Sequence, residues 1–446
     1  MRVLYQTFGC KANQYDTERM RQELEARGAS TVDGDSPSDV CVVNTCTVTN
    51  VADAEARRFI RRLRRERPDT RVIVAGCSAV LRAQEYRGMS EVEAVVPGHD
   101  PVELASAVVS RGKLVQLGMG RRLDQLDMEP VGASILTRRE GATRGWLKVQ
   151  DGCDRRCSFC ATRLARGVSR SRPAEEVIRE ATQLAGAHPE LVITGIHIGH
   201  YGRDLDEPLT LSQLLARLLD RVPDVRFRLG SIEATEVDDL LLELMAGSGG
   251  RVAPHLHMPL QSGADAVLRR MRRWHTRETY RVRALEIASE FSHLGLGADV
   301  ITGFPGETAS DHAETVRLVE ELPFTYLHVF PYSPKDGTEA AELSDPVPQR
   351  IAGERSRELR SLVQEKGLDY RTSRSGETAW ATLESEGRTA LTGDYLRVAA
   401  QGPNRSNLGR LHVGRLRGSG EDLYIELDPT APLDMDLSLR PQLSSV

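Results

Sequence analysis

The stretch GCDRRCSFC places Cys153, Cys157 and Cys160 at C-x3-C-x2-C, directly after the strand-like run GWLKVQ. Three thiolates this close on a turning loop can ligate three irons of a cubane cluster and leave the fourth iron open. A structural zinc site would want a fourth protein ligand, and the nearest histidine, His188, is far off in a loop-like GAHPE. Three thiols spaced so closely among charged residues do not read as a packed core. Three further cysteines, Cys10, Cys46 and Cys77, each follow a different strand-like run: YQTF, VVNT and VIVAG. In an open parallel sheet the carboxyl ends of the strands form one rim, where ligands bind. Residues far apart in sequence are therefore expected to meet there. Gly9 and Gly76 directly precede two of these cysteines and allow a tight backbone turn toward a cluster; the alternative is three packed thiols. Cys41, inside DVCVVN, reads as a small buried hydrophobe.

The elements that must position these groups follow from periodicity. Residues 1–112 alternate apolar runs (RVLYQTF, DVCVVNT, RVIVAG, EAVVPG) with helical patterns, the mark of a Rossmann-like open parallel sheet covered on both faces. Asn13 is the expected N-cap of the first helix, with Asp16 and Glu18 suited to its positive end. Residues 113–142 carry scattered charge and few apolar residues and read as a linker. From 143 to 370 six strand candidates recur (GWLKVQ, LVITGI, VRFRLGS, HLHMPL, LGADVITG, YLHVFPY), most of them separated by helical stretches. That length suits a partial (β/α) barrel, with working groups at the carboxyl ends of its strands. Residues 371–430 change to short runs with Gly turns, as in a small antiparallel β-barrel, and 431–446 read as a loose tail. The fold class is thus α/β with an appended small β-barrel.

At 446 residues, 40% hydrophobic and 28% charged, the composition is that of an ordinary globular chain rather than a disordered one. No apolar run is long enough to span a bilayer, and no secretory leader is evident, so no membrane partner and a cytoplasmic location are expected. Seven cysteines without a leader argue against a disulfide framework. The net charge of −5 gives no general attraction to nucleic acid, but patches can differ. The terminal barrel segment holds Arg371, Arg374, Arg388, Arg397, Arg405, Arg410, Arg415 and Arg417, set against Glu377, Glu384, Glu386 and Asp394 among its acidic residues, and QGPNRSNLGR reads as a polar loop able to reach a backbone or a base. The helix EARRFIRRLRRER is a second basic surface: either an RNA contact or a solvated face with Phe59, Ile60 and Leu63 turned inward.

Both cysteine sets, the domain order, and TFGCKANQYDTE, VVNTCTVT, AGCSA, RGVSRSRP, LGSIE, HLHMPLQSGAD, GADVITGFPGET and HVFPYSPKDGT resemble the radical S-adenosylmethionine methylthiotransferases. The resemblance covers nearly the whole chain. It implies two [4Fe–4S] clusters: one on Cys153, Cys157 and Cys160 that generates a 5′-deoxyadenosyl radical, and one on Cys10, Cys46 and Cys77 that carries the sulfur. It implies that Phe159 lies near the adenine and Gly195 near the methionyl group of S-adenosylmethionine. Ser231, Glu233, His257 and Asp299, at or near strand ends, are further cofactor-binding candidates. The terminal barrel resembles a TRAM domain, so Arg397, Arg405 and Arg410 are expected to contact RNA. GCKANQYDTE and RGVSRSRP look most like the branch acting on N6-threonylcarbamoyladenosine beside the tRNA anticodon. Arg163 departs from the family's usual proline. Alternative acceptors are isopentenyladenosine in tRNA or a ribosomal-protein aspartate; outside enzymes, the alternative is an iron–sulfur RNA-binding or electron-transfer protein. A flavodoxin- or ferredoxin-like electron donor is the expected partner besides tRNA.

Overall fold

The computed structural model describes residues 1–47, 50–110, 135–402 and 407–428, and of Asn50 and Val51 the backbone alone. Most of the expected linker (through residue 134), Arg405 and the tail 431–446 lie outside the described residues. No described helix is long and apolar enough to cross a membrane. The chain forms two bodies: Met1–Leu136 with Gln150–Arg172 and Ser333–Ala341, and Thr137–Val149 with Pro173–Tyr332 and Glu342–Val446.

In the first body, strands β1 (Arg2–Thr7), β2 (Ser30–Thr31), β3 (Val40–Thr45), β4 (Arg71–Gly76) and β5 (Ala94–Pro97) form one parallel sheet, order β2-β1-β3-β4-β5. Its near-continuous apolar strands are those of a sheet buried on both sides. Helices α1 (Lys11–Ala26) and α5 (Pro101–Val109) supply Met20, Leu24, Leu104 and Val108 to the layer containing Val3, Val42 and Ile73. Helix α2 (Asn50–Glu66) supplies Ile60 and Leu63 to the opposite layer, with Leu4, Val43, Val72 and the fully buried Cys41. Two short helices, α3 (Cys77–Leu81) and α4 (Ala83–Arg87), follow β4 directly.

Helix α1 starts earlier than expected. Cys10 is its N-cap, without a side-chain cap bond, and Asn13 lies within the first turn. The Asn13 amide is committed elsewhere, donating to the carbonyls of Phe8 (2.9 Å) and Thr45 (2.8 Å). Asp16 is likewise not a helix-end charge but a buried ion-pair partner, as shown below. The two-residue strand β2 is too short to leave a period in sequence.

Strand β6 (Arg144–Lys148) opens the second body, whereas the antiparallel pair β7 (Gln150–Asp151) and β8 (Arg170–Ser171), with α6 (Thr162–Arg166) between them, belongs to the first. The second body continues with β9 (Glu190–Thr194), β10 (Arg226–Leu229), β11 (His255–His257), β12 (Gly295–Thr302) and β13 (Tyr326–Pro331). Pairing is parallel in the sets β10-β9-β6 and β11-β12-β13, and the bridges Phe227↔Val252 and Ser231↔His257 join them into a row of six. Helices α7 (Ala174–Ala185), α8 (Leu211–Arg221), α9 (Asp239–Gly247), α10 (Asp265–Arg270), α11 (Arg277–Ser289) and α12 (Ala309–Glu321) return the chain between strands.

Alternation along these strands separates two faces. Leu147, Leu191, Ile193, Phe227, Leu256, Leu296 and Val329 lie on one. The other carries Lys148, Glu190, Arg226, Arg228, His255, His257, Asp299 and His328. A fully packed barrel interior is filled by branched apolar residues; this one has a polar lining.

Helix α13 (Gln349–Ser373) leads into a closed barrel of β14 (Thr378–Glu384), β15 (Thr389–Thr392), β16 (Arg397–Gln401), β17 (Leu411–Arg417) and β18 (Tyr424–Leu427), order β14-β15-β16-β18-β17. Every pairing is antiparallel except the closing seam β16–β18. This barrel sits at the amino ends of the six strands, through buried charge. Glu190 accepts from Arg226 Nε (2.6 Å) and from Arg228 Nε and Nη2 (2.8 and 2.9 Å), while Arg144 lies 3.6 Å away. The two arginines in turn donate to the carbonyls of Trp380 (3.0 Å), Thr392 (2.9 Å) and Gly393 (2.7 Å). Burial pushes the Glu190 carboxyl up, but Arg228 and Arg226 outweigh it and hold the group well below the usual carboxylate range.

Removing one partner from such a site leaves uncompensated buried charge. Glu190→Gln is expected to cost about 3–5 kcal/mol, seen as a lowered thermal midpoint and earlier proteolysis within residues 375–428. An unchanged midpoint would show that the arginines are satisfied by carbonyls alone.

Candidate functional site

The sheet of the first body brings Cys10, Cys46 and Cys77 to one edge. Strands β1, β3 and β4 are adjacent and in register, with Thr7 opposite Asn44 and Thr45 opposite Gly76. Each cysteine follows its strand within three residues, so all three leave the same carboxyl rim. The turns are locked from below. Asn44 Nδ2 donates to the Asn13 carbonyl (2.8 Å) and to Thr17 Oγ1 (2.9 Å), and Thr45 Oγ1 donates to the Ala75 carbonyl (2.6 Å).

Two glycines are obligatory here. Gly9 has φ of 100°, and a Cβ on it would fall 2.3 Å from Cys46 Sγ. Gly76 has φ of 97°, and its Cβ would fall 2.3 Å from Asn44 Oδ1 and 2.4 Å from the Thr45 carbonyl. Backbone and thiol thus approach more closely than any side chain allows. Cys10 is exposed, Cys46 and Cys77 are buried. Burial pushes the Cys77 thiol up to about 12, with Arg166 lowering it and the Cys46 and Cys10 charges raising it.

The second set sits on a loop pinned at both ends within the same body. β7 pairs with β8 around it, the Cys153 amide donates to the Gly167 carbonyl (3.1 Å), and the Cys160 amide donates to the Cys157 carbonyl (3.2 Å). Gly152, with φ of 67°, leaves no room for a Cβ, which would fall 1.8 Å from the Val168 carbonyl oxygen. Cys153, Cys157 and Cys160 are half-buried. Cys153 is raised to about 12 by burial, against a backbone bond from Arg155, with Cys160 and Cys157 adding to the rise. Phe159 is half-buried on this loop, and the Ala340 amide donates to the Ser158 carbonyl (2.9 Å).

Arg166, to which the sequence reading assigned no role, joins the two regions. Its side chain is 1% exposed. It donates to Asp151 Oδ1 and Oδ2 (2.9 and 3.1 Å) beside the cluster loop, and to Asp16 Oδ2 (2.8 Å) and Asn13 Oδ1 (2.6 Å) beside the sheet rim. It also approaches His99 Nε2 at 3.1 Å, and that same nitrogen is 3.5 Å from Cys77 Sγ. A guanidinium only donates, so His99 Nε2 carries a lone pair there. The signal was present in RGVSRSRP, but nothing in that string says which carboxylates the arginine will meet.

The donor sets fit iron–sulfur clusters. Each comprises three thiols on close backbone turns, and the Arg166 cation next to Cys77 favours its thiolate.

The second body holds the remaining candidates. Gly195 follows β9 and is half-buried, while Ser231 is exposed and pairs only in its bridge to His257. Glu233 is bonded by Arg273 Nη2 (2.5 Å); burial nonetheless raises its carboxyl. Asp299 lies within β12 rather than at its end, opposite His328, where its Oδ1 is 3.1 Å from His257 Nε2 and 3.2 Å from His328 Nδ1. Burial raises the Asp299 carboxyl, but these imidazoles prevail and hold it well below the usual range. Tyr326 hydroxyl lies 3.0 Å from His257 Nδ1 and 2.8 Å from His255 Nε2, making one connected polar chain on the barrel's lining face. A second cluster, also without a role in the sequence reading, sets His197 Nε2 and His200 Nε2 at 2.9 and 3.2 Å from Glu236 Oε1.

In the small barrel, Arg374 is buried against Asp394 (2.8 Å), and Arg371 donates to the carbonyls of Gly420 (2.6 Å) and Arg397 (3.1 Å). These two arginines therefore hold the barrel together rather than adding to its basic surface. Arg397 is exposed and paired with Glu384 (2.9 Å), and Arg410 is half-buried.

Replacing Arg166 by Met would strand Asp16 and Asp151 in the interior. The expected loss is about 3–5 kcal/mol of stability in denaturant unfolding of the metal-free chain. Arg166→Lys should recover only part of it, because a single ammonium cannot serve both carboxylates in fork geometry. Equal stability of all three chains would sink the assignment of Arg166 as the link.

The family profile described as "Uncharacterized protein family UPF0004" matches residues 2–98, and that of the radical SAM superfamily matches residues 147–319. The threonylcarbamoyladenosine tRNA methylthiotransferase MtaB of Bacillus subtilis is 36% identical over 412 residues, 90% of each chain. The tRNA-2-methylthio-N(6)-dimethylallyladenosine synthase of Acidothermus cellulolyticus is 31% identical over 404 residues, 89% of this chain and 80% of that one. A radical S-adenosylmethionine methyltransferase, TsrM of Kitasatospora setae, solved with cobalamin and a [4Fe–4S] cluster bound, shares the fold at TM-score 0.55. It is 18% identical and is aligned over 76% of this chain and 77% of its own. By length matched and identity, the chain belongs to the radical S-adenosylmethionine methylthiotransferase family.

Proposed function

We propose that this protein inserts a methylthio group at C2 of N6-threonylcarbamoyladenosine next to the tRNA anticodon, using one S-adenosylmethionine as methyl donor and another as radical source. The observation that carries the chemistry is the pair of three-thiol sets in one α/β body, each on a glycine-dependent turn. The acceptor rests on relatives, 31–36% identical over most of the chain, that are named for this nucleoside. Bound to Cys153, Cys157 and Cys160 and to Cys10, Cys46 and Cys77, two [4Fe–4S] clusters would supply reductive cleavage of S-adenosylmethionine and a station for the transferred sulfur.

The chain's own residues orient and shield. Arg166 fixes the cluster loop and α1 to one buried cation and keeps positive charge beside Cys77. Phe159, Gly195, Ser231, Glu233, His257 and Asp299 are the groups we assign to S-adenosylmethionine, Asp299 being held anionic by its two histidines and so able to accept from a hydroxyl or ammonium group. The polar lining of the barrel gives such a ligand hydrogen-bond partners that an apolar core would not. Arg397, Arg405 and Arg410 are assigned to RNA. A flavodoxin- or ferredoxin-like protein would deliver the electron, and a tRNA substrate would put the enzyme in the cytoplasm.

Anaerobically reconstituted protein should hold about eight irons per chain. The triple alanine variant of either cysteine set should hold about four; four in the intact protein would leave one set without a cluster. In cells lacking the gene, nucleoside mass spectrometry should show loss of 2-methylthio-N6-threonylcarbamoyladenosine and accumulation of its unthiolated precursor. Loss of the methylthio isopentenyl nucleoside instead would move the enzyme to the sister branch. Unchanged tRNA nucleosides would defeat the tRNA reading and direct attention to a ribosomal-protein aspartate.

A further inference from the structure

Four arginines without a carboxylate partner among the described residues line one groove of the first body. A groove of about 530 Å³ runs along β1 and α2, lined by Phe8, Phe59, Arg58, Arg61, Arg62 and Arg65, with Glu55 as its one acidic lining residue. Arginines elsewhere on α2 are committed: Arg57 to Asp53, and Arg64 to the Pro68 carbonyl. Arg67, just beyond it, donates to the carbonyls of Ser36 and Gly34. The groove arginines differ. Among the described residues Arg58, Arg61 and Arg65 have no ion-pair or hydrogen-bond partner, and Arg62 lies only over the Phe59 ring, 5.7 Å from its centroid.

The floor explains why the groove persists. Ile60 and Leu63 anchor α2 in the core, and Phe8 and Phe59 pack against that same cluster. The two rings meet edge to face at 6.1 Å. β2 pairs only with Arg2 and Val3, which leaves the later half of β1 open on that side. Phe8 also stands two residues before Cys10, so the groove begins at the cysteine rim.

We propose that this groove binds the sugar–phosphate backbone of the substrate RNA, with a base packing on the half-buried rings of Phe8 and Phe59. The inference rests on the tRNA reading above. In a chain of net charge −5, four guanidinium groups gathered on one groove beside a single carboxylate, Glu55, leave a local excess of positive charge that attracts an anionic ligand. Their being arginine rather than lysine favours phosphate, which guanidinium grips with two parallel bonds. The aromatic floor is the platform on which single-stranded bases stack. An acidic protein such as the electron donor would also be attracted, but it has no need of the rings. Two exposed arginines of the small barrel are less available: Arg397 and Arg417 already face Glu384 and Glu426.

The test uses the full-length protein and an anticodon stem–loop RNA bearing N6-threonylcarbamoyladenosine, with filter binding across a salt series. The variants are Arg58→Ala/Arg61→Ala/Arg65→Ala and its lysine counterpart, with far-UV circular dichroism and thermal melting to confirm the helix. Loss of three phosphate contacts should weaken binding on the order of tenfold or more and flatten the slope of log K against log salt by about 2. The lysine triple should restore most of the slope. The single reversal Arg61→Glu gives a second reading should the triple alanine chain lose its fold, and it should weaken binding in the same direction. Wild-type protein that binds the RNA while the alanine and reversed chains match it in affinity and slope would overturn the groove and leave the tRNA assignment standing. If those same chains were instead slower only in reduction by a flavodoxin, the surface would belong to the electron donor. Wild-type protein that prefers this RNA no more than an unrelated hairpin would bring down the tRNA reading and the groove with it.

Discussion

A single buried guanidinium organises the first body. Asp16 comes from α1 and Asp151 from the strand before the cluster loop, and neither carboxylate could stay ionised in the interior alone. Arg166 answers both, with Asn13 and His99 completing its donors' partners. The same Asn13 clamps the turns that lead to Cys10 and Cys46, so the cation and the sheet rim share one hydrogen-bonded network. The two cysteine sets, separated by more than seventy residues of chain, are thereby tied to common supports.

A comparable constraint shapes the second body. Lining a barrel with Glu190, Arg226, Arg228, His257 and Asp299 is tolerable only where each charge finds a partner. At the amino ends of the strands those partners include carbonyls of the small barrel, so its attachment is part of the solution to burying the charge. Further along, the imidazoles of His257 and His328 do the same for Asp299. The polar lining thus divides into a stabilising end and an end still able to meet a ligand.

Arginine is used in two ways across the molecule. Buried copies such as Arg166, Arg226 and Arg228 spend their donors on carboxylates, carbonyls and other side chains and fix elements in place. Those on the outer face of α2 are supported by an aromatic floor and lack such partners, which is the arrangement expected of a surface kept for an anion. The contrast is one of context: the same residue type in both settings, with different neighbours.

Much was legible before any coordinates. The strand-following positions of Cys10, Cys46 and Cys77 predicted a common rim because parallel strands must end on one side, and the six apolar-alternating runs predicted the barrel strands because period 2 survives burial. The C-x3-C-x2-C spacing was local and needed no fold to be read. Other features were not legible. Asn13 looked like a helix cap because its type and place suit one, and only the approach of Phe8 and Thr45 showed that its amide is engaged elsewhere. Arg371 and Arg374 counted toward a basic surface in the sequence, but Arg374 proved buried against Asp394 and the half-buried Arg371 bonded to backbone carbonyls, since burial depends on which strand packs on which. Short-range pattern determined the elements and the chemistry at their ends; the pairing of Arg166 with Asp16 and Asp151, and of Glu190 with its arginines, was decided by tertiary structure. Such contacts join residues whose distance along the chain carries no information about their distance in space.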